Sequence, residues 1–145
     1  NSKNLNVSYY IQEISHTQID QINILRASLL AMEMAVSALA QDENHLIALI
    51  DGNKKFETKL NVDQFPIVKG DSKSTMIGLA SIIAKVYRDQ LMQEMGRLYP
   101  GYGLENHAGY PTKDHLQAIV QLGVLDIHRK TFKGVKEHVQ TGAIQ

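Results

Sequence analysis

The chain has 145 residues, of which 43% are hydrophobic and 21% charged, with a formal net charge of zero and no cysteine. This composition suits one globular domain with its own core and excludes a disordered chain. The lack of cysteine excludes disulfides, thiolate zinc sites and cysteine nucleophiles, and it fits a reducing, cytoplasmic location. No apolar run is long enough to cross a bilayer and no signal-peptide pattern opens the sequence, so we expect no membrane contact.

The elements alternate between strands and helices along the chain. Residues 7–14 are rich in Val, Tyr and Ile and predict a strand, and Ser15 with Gln18 predicts a capping box that opens a helix to about Ala40. The later predicted elements are strands at 46–50 and 65–69, a helix at 74–97, an irregular loop at 99–111, and a helix capped by Thr112 and ended by Gly123. The continuous apolar strand 46–50 is of the kind buried on both faces. This order favours α/β layering.

Two acidic residues stand out as candidate metal ligands. Asp51 ends the strand 46–50, and Ser81, Lys85 and Asp89 follow one face of an otherwise apolar helix at i, i+4 and i+8. Asp51-Gly52 is also ordinary turn chemistry, and Lys85 with Asp89 is also an ordinary surface pair. In the functional interpretation the helix is buried, and the two acids are parts of a divalent-metal nuclease site.

Other polar segments give weaker signals. The segment Lys69–Ser74 lacks the glycines of a phosphate-binding loop, so we expect Asp71, Ser72 or Ser74 to cap the next helix and Lys69 or Lys73 to contact phosphate. The basic run that begins at His128 is typical of a solvated face. The six histidines have no zinc-helix spacing, and most are expected at the surface.

Several segments, in this order, resemble the ribonuclease H type 2 family in its bacterial ribonuclease HII form. They are Asn23-Ile24-Leu25, Leu49-Ile50-Asp51-Gly52-Asn53, Lys69–Ser74, Ala80–Asp89, Tyr99-Pro100-Gly101-Tyr102-Gly103, His107–Thr112 and Ile127–Phe132. The resemblance implies a ribonuclease H-like mixed sheet flanked by helices, with a C-terminal helical extension. It places the core at residues 1–98 and a substrate-binding extension of the same domain at 99–145.

The resemblance also implies an activity and a set of site residues. The activity is an endonuclease that cuts the RNA strand of RNA–DNA hybrids and the 5′ side of ribonucleotides embedded in duplex DNA, with two Mg²⁺ or Mn²⁺ ions held by four carboxylates. The third and fourth acids match Asp51 and Asp89, which makes them the catalytic metal ligands. Tyr110 matches the tyrosine that packs on the deoxyribose beyond the ribonucleotide. The remaining substrate contacts implied are phosphate contacts from Ser81, Lys85, Lys69 and Arg129.

The family's first strand, with its Asp-Glu pair, and the following Gly-Arg-Gly turn have no match in this sequence. The opening Asn1-Ser2-Lys3-Asn4-Leu5 resembles the family's later Asp-Ser-Lys-x-Leu segment, with Asn1 in place of the acid. We therefore expect a fragment of an active enzyme whose N-terminal strands are missing. We expect a monomer when complete, and association through the exposed sheet in this form. Two alternatives remain: a catalytically incomplete fragment that only binds nucleic acid, and another two-metal enzyme on the same fold, such as an integrase or resolvase.

Overall fold

The computed structural model describes residues 7–40 and 45–139. The elements are α1 (His16–Ile22), α2 (Ile24–Ala40), β1 (Leu46–Asp51), β2 (Val62–Ile67), a 3₁₀ turn (Gly70–Ser72), α3 (Thr75–Leu98), α4 (Leu104–His107), α5 (Lys113–Leu122) and α6 (Lys136–Val139). The segment 1–5, which carries part of the family resemblance, lies outside the described residues. A small parallel sheet together with several helices confirms the α/β prediction.

The described residues divide into two compact units. The first comprises residues 7–14, 24–40 and 45–82, and the second comprises residues 15–23 and 83–139. Helix α3 contributes its first part to one unit and its second part to the other. The division between 98 and 99 that the sequence suggests stays a prediction.

The sheet of the first unit is a parallel pair. Strand β1 pairs with β2 in a register that runs from Leu46 opposite Val62 to Asp51 opposite Ile67. The connection 52–61 carries no helix, although parallel strands usually need a longer crossover. Phe56 of this connection is 3% exposed, and the Gln64 carboxamide both accepts from its N–H and donates to its carbonyl at 3.0 Å. The connection is therefore held against the sheet through Phe56.

The two faces of this sheet differ in burial. On the inner face Ala48 and Ile50 pack with Phe56, and the α2 residues Leu29, Met32 and Val36 cover them. On the outer face Ile47, Leu49 and Phe65 are 67%, 42% and 50% exposed. The prediction that strand 46–50 is buried on both faces is therefore wrong, because within the described residues only the inner face is covered by a helix.

The core of the second unit joins the end of α3 to the C-terminal helices. Its buried members are Met92, Tyr102, Leu104, Ala118, Ile119 and Val135. Thr112 caps α5 by accepting from the His115 N–H, and Gly123 ends the helix at φ 90°. Both cap predictions are confirmed, since each depends on neighbours within one helical turn.

Four predicted elements are corrected by the structure. Residues 7–14 form no strand, and strand β2 begins at Val62 instead of 65. The capping box of Ser15 and Gln18 is present, but the helix it opens breaks at Asn23, whose φ of 67° and ψ of 165° suit few residues other than glycine. The predicted irregular loop 99–111 contains α4.

No single helix of the described residues is long and apolar enough to cross a membrane. Helices α1 and α2 satisfy that length and apolarity only when taken together, and they are separated by the break at Asn23.

Candidate active site and nucleic-acid interface

Asp51 is the last residue of β1 and lies on the outer face of the sheet. Its Oδ1 accepts a hydrogen bond of 2.8 Å from the backbone N–H of Gly70, in the turn after β2. A Cβ at Gly70 would lie 2.6 Å from Ile77 Cδ1, so a larger residue here would force the Ile77 side chain to shift. The Gly70 N–H thus fixes one oxygen of the carboxylate, and the other, Oδ2, is available for a ligand.

The segment that carries Gly70 begins with a left-handed residue. Lys69 has φ 55° and is exposed, and its carbonyl accepts from the Ser72 hydroxyl at 2.9 Å. Ser74 Oγ accepts from the Ile77 N–H at 3.5 Å, which places Ser74 at the cap of α3. One of the three expected caps is thereby confirmed. Lys69 follows β2 and directly precedes the residue that holds Asp51.

The polar stripe of α3 is exposed. Lys85 Nζ lies 2.7 Å from Asp89 Oδ2, with the side chains 74% and 47% exposed, and Ser81 one turn earlier is also exposed. The apolar neighbours Ile82 and Val86 are 62% and 50% exposed, so the expectation of a buried helix here is wrong. Within the described residues, Lys85 is the counter-ion of Asp89, in a surface pair of modest strength.

The two candidate metal ligands lie in different units, Asp51 in the first and Asp89 in the second. Carboxylate oxygens are the ligands that Mg²⁺ and Mn²⁺ prefer. However, no three His, Asp or Glu side chains of the described residues gather in a way that could hold a metal ion. The described residues therefore supply ligands of the right type, but fewer than a complete metal site needs.

Tyr110 presents its ring to solvent from a fixed backbone. The residue is 66% exposed. Its N–H donates to the His107 carbonyl at 2.8 Å, and its carbonyl accepts from the Thr112 N–H at 2.8 Å and from His115 Nδ1 at 3.0 Å. The exposed ring therefore stands on a main chain with three hydrogen bonds.

Two arginines lie near Tyr110. Arg88 Nη2 donates to the carbonyl of Ala108 at 2.6 Å, and the Arg129 guanidinium carbon lies 3.7 Å from the Phe132 ring centroid. Burial lowers the pKa of Arg129 and the Arg88 charge lowers it further, while Asp20 and Tyr110 act in the opposite direction. Arg88, Tyr110 and Asp20 are thus within electrostatic range of Arg129, which stays charged at neutral pH.

Asp20 anchors the segment that carries Arg129. Its carboxylate accepts from the Lys130 N–H at 2.6 Å, and from the Thr131 N–H at 3.1 Å and hydroxyl at 2.5 Å. Burial raises the pKa of Asp20, but the hydrogen bonds from Thr131 and Lys130 outweigh it and hold the pKa below its usual range. The ionised carboxylate therefore fixes α1 to this segment.

Two of the six histidines are buried, and the other four are exposed or partly exposed. His115 and His128 are 4% and 6% exposed, and their Nε2 atoms are 3.2 Å apart. His115 follows the Thr112 cap by three residues, a local signal that could have placed it inside the turn. The basic run that begins at His128 predicted a solvated face, so the burial of that residue was missed. No local sequence signal indicates the role of Asp20, because its partners are 110 and 111 positions away.

The small parallel sheet, the helices beside it and the acid at the strand end are consistent with a ribonuclease H-like fold. The ribonuclease HII family model matches residues 2–135. The chain belongs to the ribonuclease HII family, which is a family of nuclease enzymes.

Curated relatives agree with this assignment. A protein of Desulfotalea psychrophila named ribonuclease HII is 47% identical over 130 residues, which are 89% of this chain and 57% of that protein. Proteins of the same name from Francisella tularensis subsp. tularensis and subsp. novicida are 50% and 49% identical over 129 residues, or 67% and 68% of their lengths. The chain thus spans between about half and two thirds of the length of these relatives.

Proposed function

We propose that this chain acts in an endonuclease that hydrolyses the RNA strand of RNA–DNA hybrids and cuts on the 5′ side of ribonucleotides embedded in duplex DNA. The observation that carries the proposal is the exposed ring of Tyr110 on a fixed backbone, with the Arg129 and Arg88 charges close by. An aromatic face packs on a sugar or base, and guanidinium groups bind phosphate oxygens. This combination suits a nucleic-acid backbone.

Three further cationic and hydroxyl side chains are proposed phosphate contacts, each described within its own unit. Lys69 and Ser81 are exposed in the first unit, and Lys85 is 74% exposed in the second. Side chains of this kind contact phosphates and set the register of the duplex without reading its sequence. We assign them to backbone contacts.

Asp51 and Asp89 are the proposed ligands of Mg²⁺ or Mn²⁺. When bound, such ions activate a water and stabilise the leaving 3′-oxygen. The Gly70 N–H holds the Asp51 carboxylate at the strand end. Lys85 is the counter-ion of Asp89, and a bound metal ion would replace it in that role. Further ligands beyond these two are required, because no group of three forms among the described residues.

The experiment compares the chain with its Asp51→Asn and Asp63→Asn variants on a DNA duplex that carries one embedded ribonucleotide, with Mg²⁺ or Mn²⁺. The amide in Asp51→Asn keeps an oxygen that accepts from the Gly70 N–H, so the fold is preserved while the charge is lost. Asp63 is a matched control, because it lies on the same outer face and pairs with exposed His45 at 3.3 Å. A lost metal ligand should cost more than the roughly 10–100-fold of an outer-shell partner.

Cleavage on the 5′ side that Asp51→Asn abolishes and Asp63→Asn leaves intact supports the proposal. Equal cleavage by both variants contradicts the role of Asp51. The second candidate function, a fragment that only binds nucleic acid, is favoured by the lack of a three-ligand group among the described residues. It predicts salt-sensitive binding of the duplex by all three proteins, with no cutting.

A role in DNA replication and repair follows from this substrate choice and is part of the proposal. The cytoplasmic location, the monomeric state of a complete protein and association through the sheet stay predictions. The outer sheet face with exposed Ile47 and Phe65 is where such association would occur.

A further inference from the structure

The two buried histidines belong to a directed chain of hydrogen bonds that ends at Tyr110. His128 Nδ1 lies 2.8 Å from the Leu125 N–H and 3.3 Å from the Leu125 carbonyl, and the shorter contact makes this nitrogen an acceptor. The Tyr110 carbonyl can only accept, so His115 Nδ1, at 3.0 Å, is a donor. In neutral rings these assignments leave a proton on His128 Nε2 and a lone pair on His115 Nε2. The 3.2 Å contact between the two Nε2 atoms is then a hydrogen bond from His128 to His115.

His107 also holds the segment around Tyr110, and its tautomer follows from the same assignment of donors and acceptors. Its Nε2 lies 2.9 Å from the Tyr102 carbonyl and is therefore a donor, while its Nδ1 accepts from the Gly109 N–H at 3.2 Å. Its ring stacks on His115 with centroids 4.3 Å apart. Each of these three histidines thus has one donor and one acceptor nitrogen, which is the neutral form.

We propose that His115 and His128 are positioning residues that hold the Tyr110 backbone, and hence its exposed ring, through a hydrogen-bond chain that exists only while both imidazoles are neutral. Only the contact of the Tyr110 ring with nucleic acid rests on the proposed function. If His115 gains a second proton, both Nε2 atoms carry hydrogen, the contact between the two rings becomes repulsive, and the ring that holds the Tyr110 carbonyl is displaced. If His128 gains a second proton, its Nδ1 carries hydrogen and opposes the Leu125 N–H, so the bond that fixes His128 is lost.

The charged groups around the pair favour the neutral form. Burial lowers the pKa of His115, and His107 and Arg129 lower it further, against the hydrogen bond to Tyr110. Burial likewise lowers the pKa of His128, as do His115 and His16, against the longer contact of 3.3 Å with the Leu125 carbonyl. The tilted Tyr102 ring completes the surroundings of His128 and carries no charge near neutral pH. The chain is therefore intact at neutral pH and opens in acid.

The tautomers can be read without any substrate. Two-bond ¹⁵N–¹H correlation spectra at pH 7.5 should show a proton on Nδ1 of His115 and on Nε2 of His128 and His107. The Nδ1–H form is the unusual one, so its appearance at His115 is specific to this chain of bonds. A proton on Nε2 of His115, or a charged ring at either position, overturns the proposal.

A pair of substitutions separates positioning from general stability. In His115→Asn the amide N–H takes the place of Nδ1–H and can still donate to the Tyr110 carbonyl. In His115→Gln the amide takes the place of Nε2, and the bond to Tyr110 is lost. Hydrogen exchange of the Tyr110 and Thr112 amides should be unchanged in the Asn variant, and faster in the Gln variant by roughly fivefold, the loss of about one hydrogen bond. Equal exchange in the two variants overturns the proposal.

The functional readout is the preference for a duplex with one embedded ribonucleotide over a uniform RNA–DNA hybrid, measured by fluorescence anisotropy. His115→Gln should reduce this preference. His115→Asn should retain it and remove the decline that the unsubstituted protein shows as the pH falls through the lowered pKa of His115. A merely structural role would weaken both duplexes equally in both variants and would contradict the inference. If no duplex binds while the tautomers and exchange rates are as expected, the proposed function fails and the positioning of Tyr110 stands.

Discussion

The Asp51 carboxylate and the Gly70 backbone N–H lie 2.8 Å apart and join the end of β1 to the turn after β2. The acid at the strand end is thus held by a main-chain donor and not by a flexible side chain. Because Gly70 is buried against Ile77, the donor itself is fixed by packing. The orientation of a candidate metal ligand therefore depends on a residue that has no side chain.

Gly70→Ala should lower the free energy of unfolding by about 1–3 kcal/mol, the usual cost of an overpacked site. The new Cβ would lie 2.6 Å from Ile77 Cδ1. Ile77→Val removes that methyl group, so the double variant should lose less than the sum of the two single variants. Urea denaturation of the four proteins measures the coupling, and strict additivity would mean that the Ile77 contact is not the cause.

Asp20→Asn should destabilise the chain by about 1 kcal/mol, at the low end for charged hydrogen bonds because the carboxylate is near solvent. The amide nitrogen cannot accept from the Lys130 N–H. Since the folded pKa of Asp20 is lowered, its contribution is complete above the unfolded pKa of about 3.9 and is lost as the pH falls through the folded pKa. Thermal unfolding of both proteins between pH 2 and 6 checks this, and parallel curves would contradict it.

Tyr102→Phe should cost about 1 kcal/mol, because the buried hydroxyl donates to the carbonyls of Leu122 and Gly123 at 3.1 and 2.9 Å. Tyr110→Phe is the matched control, since that ring is 66% exposed and its stability should change little. Chemical denaturation compares the two. An equal loss in both variants would show that the Tyr102 hydroxyl is not the anchor of the α5 end.

The stability of the second unit should fall in mild acid. The pKa values of His115 and His128 are lowered by burial, so the folded state binds fewer protons than the unfolded state. Their contribution is complete above about pH 6.5, the unfolded value, and is lost as the pH falls through the lowered folded values. Hydrogen exchange of α5 amides from pH 7.5 to 5, corrected for the intrinsic rate, measures the loss. A flat profile across this range would contradict the neutral pair.

Ile47→Lys and Ala48→Lys test which face of the sheet is covered. Ile47 is 67% exposed and should tolerate lysine within about 1 kcal/mol, the span of strand propensities. Ala48 is 8% exposed beneath α2, and a lysine there should prevent folding, because an unpaired charge in the core is costly. Circular dichroism and urea denaturation distinguish the two variants. Similar losses at both positions would mean that the outer face is covered.

What the sequence predicted correctly was local. The Ser15 capping box and the Thr112 and Gly123 caps depend on neighbours within one turn, and all three are confirmed. The helix predicted at 74–97 matches α3, because the stop signal Tyr99-Pro100-Gly101 directly follows it. The resemblance to the ribonuclease HII family agrees with the family shown by comparison.

What the sequence could not predict depends on distant contacts. Nothing near Asp20 indicates that its partners are Lys130 and Thr131, and nothing near His128 indicates that its partner is His115. Apolar strand residues predict burial, but which face is covered depends on where α2 packs. The roles of Asp51, Asp89 and Tyr110 as ligands and contacts stay predictions until cleavage is measured.

The two hydrogen bonds between the Gln64 side chain and the Phe56 backbone replace those that a neighbouring strand would make. The Gln64 carboxamide presents a donor and an acceptor to the main chain of a single residue, as a strand would do along a ladder. The short connection between β1 and β2 is therefore held to the sheet without a helix, because the Gln64 amide supplies both hydrogen bonds. A glutamate at position 64 would offer two acceptors and no donor, so the bond to the Phe56 carbonyl would be lost.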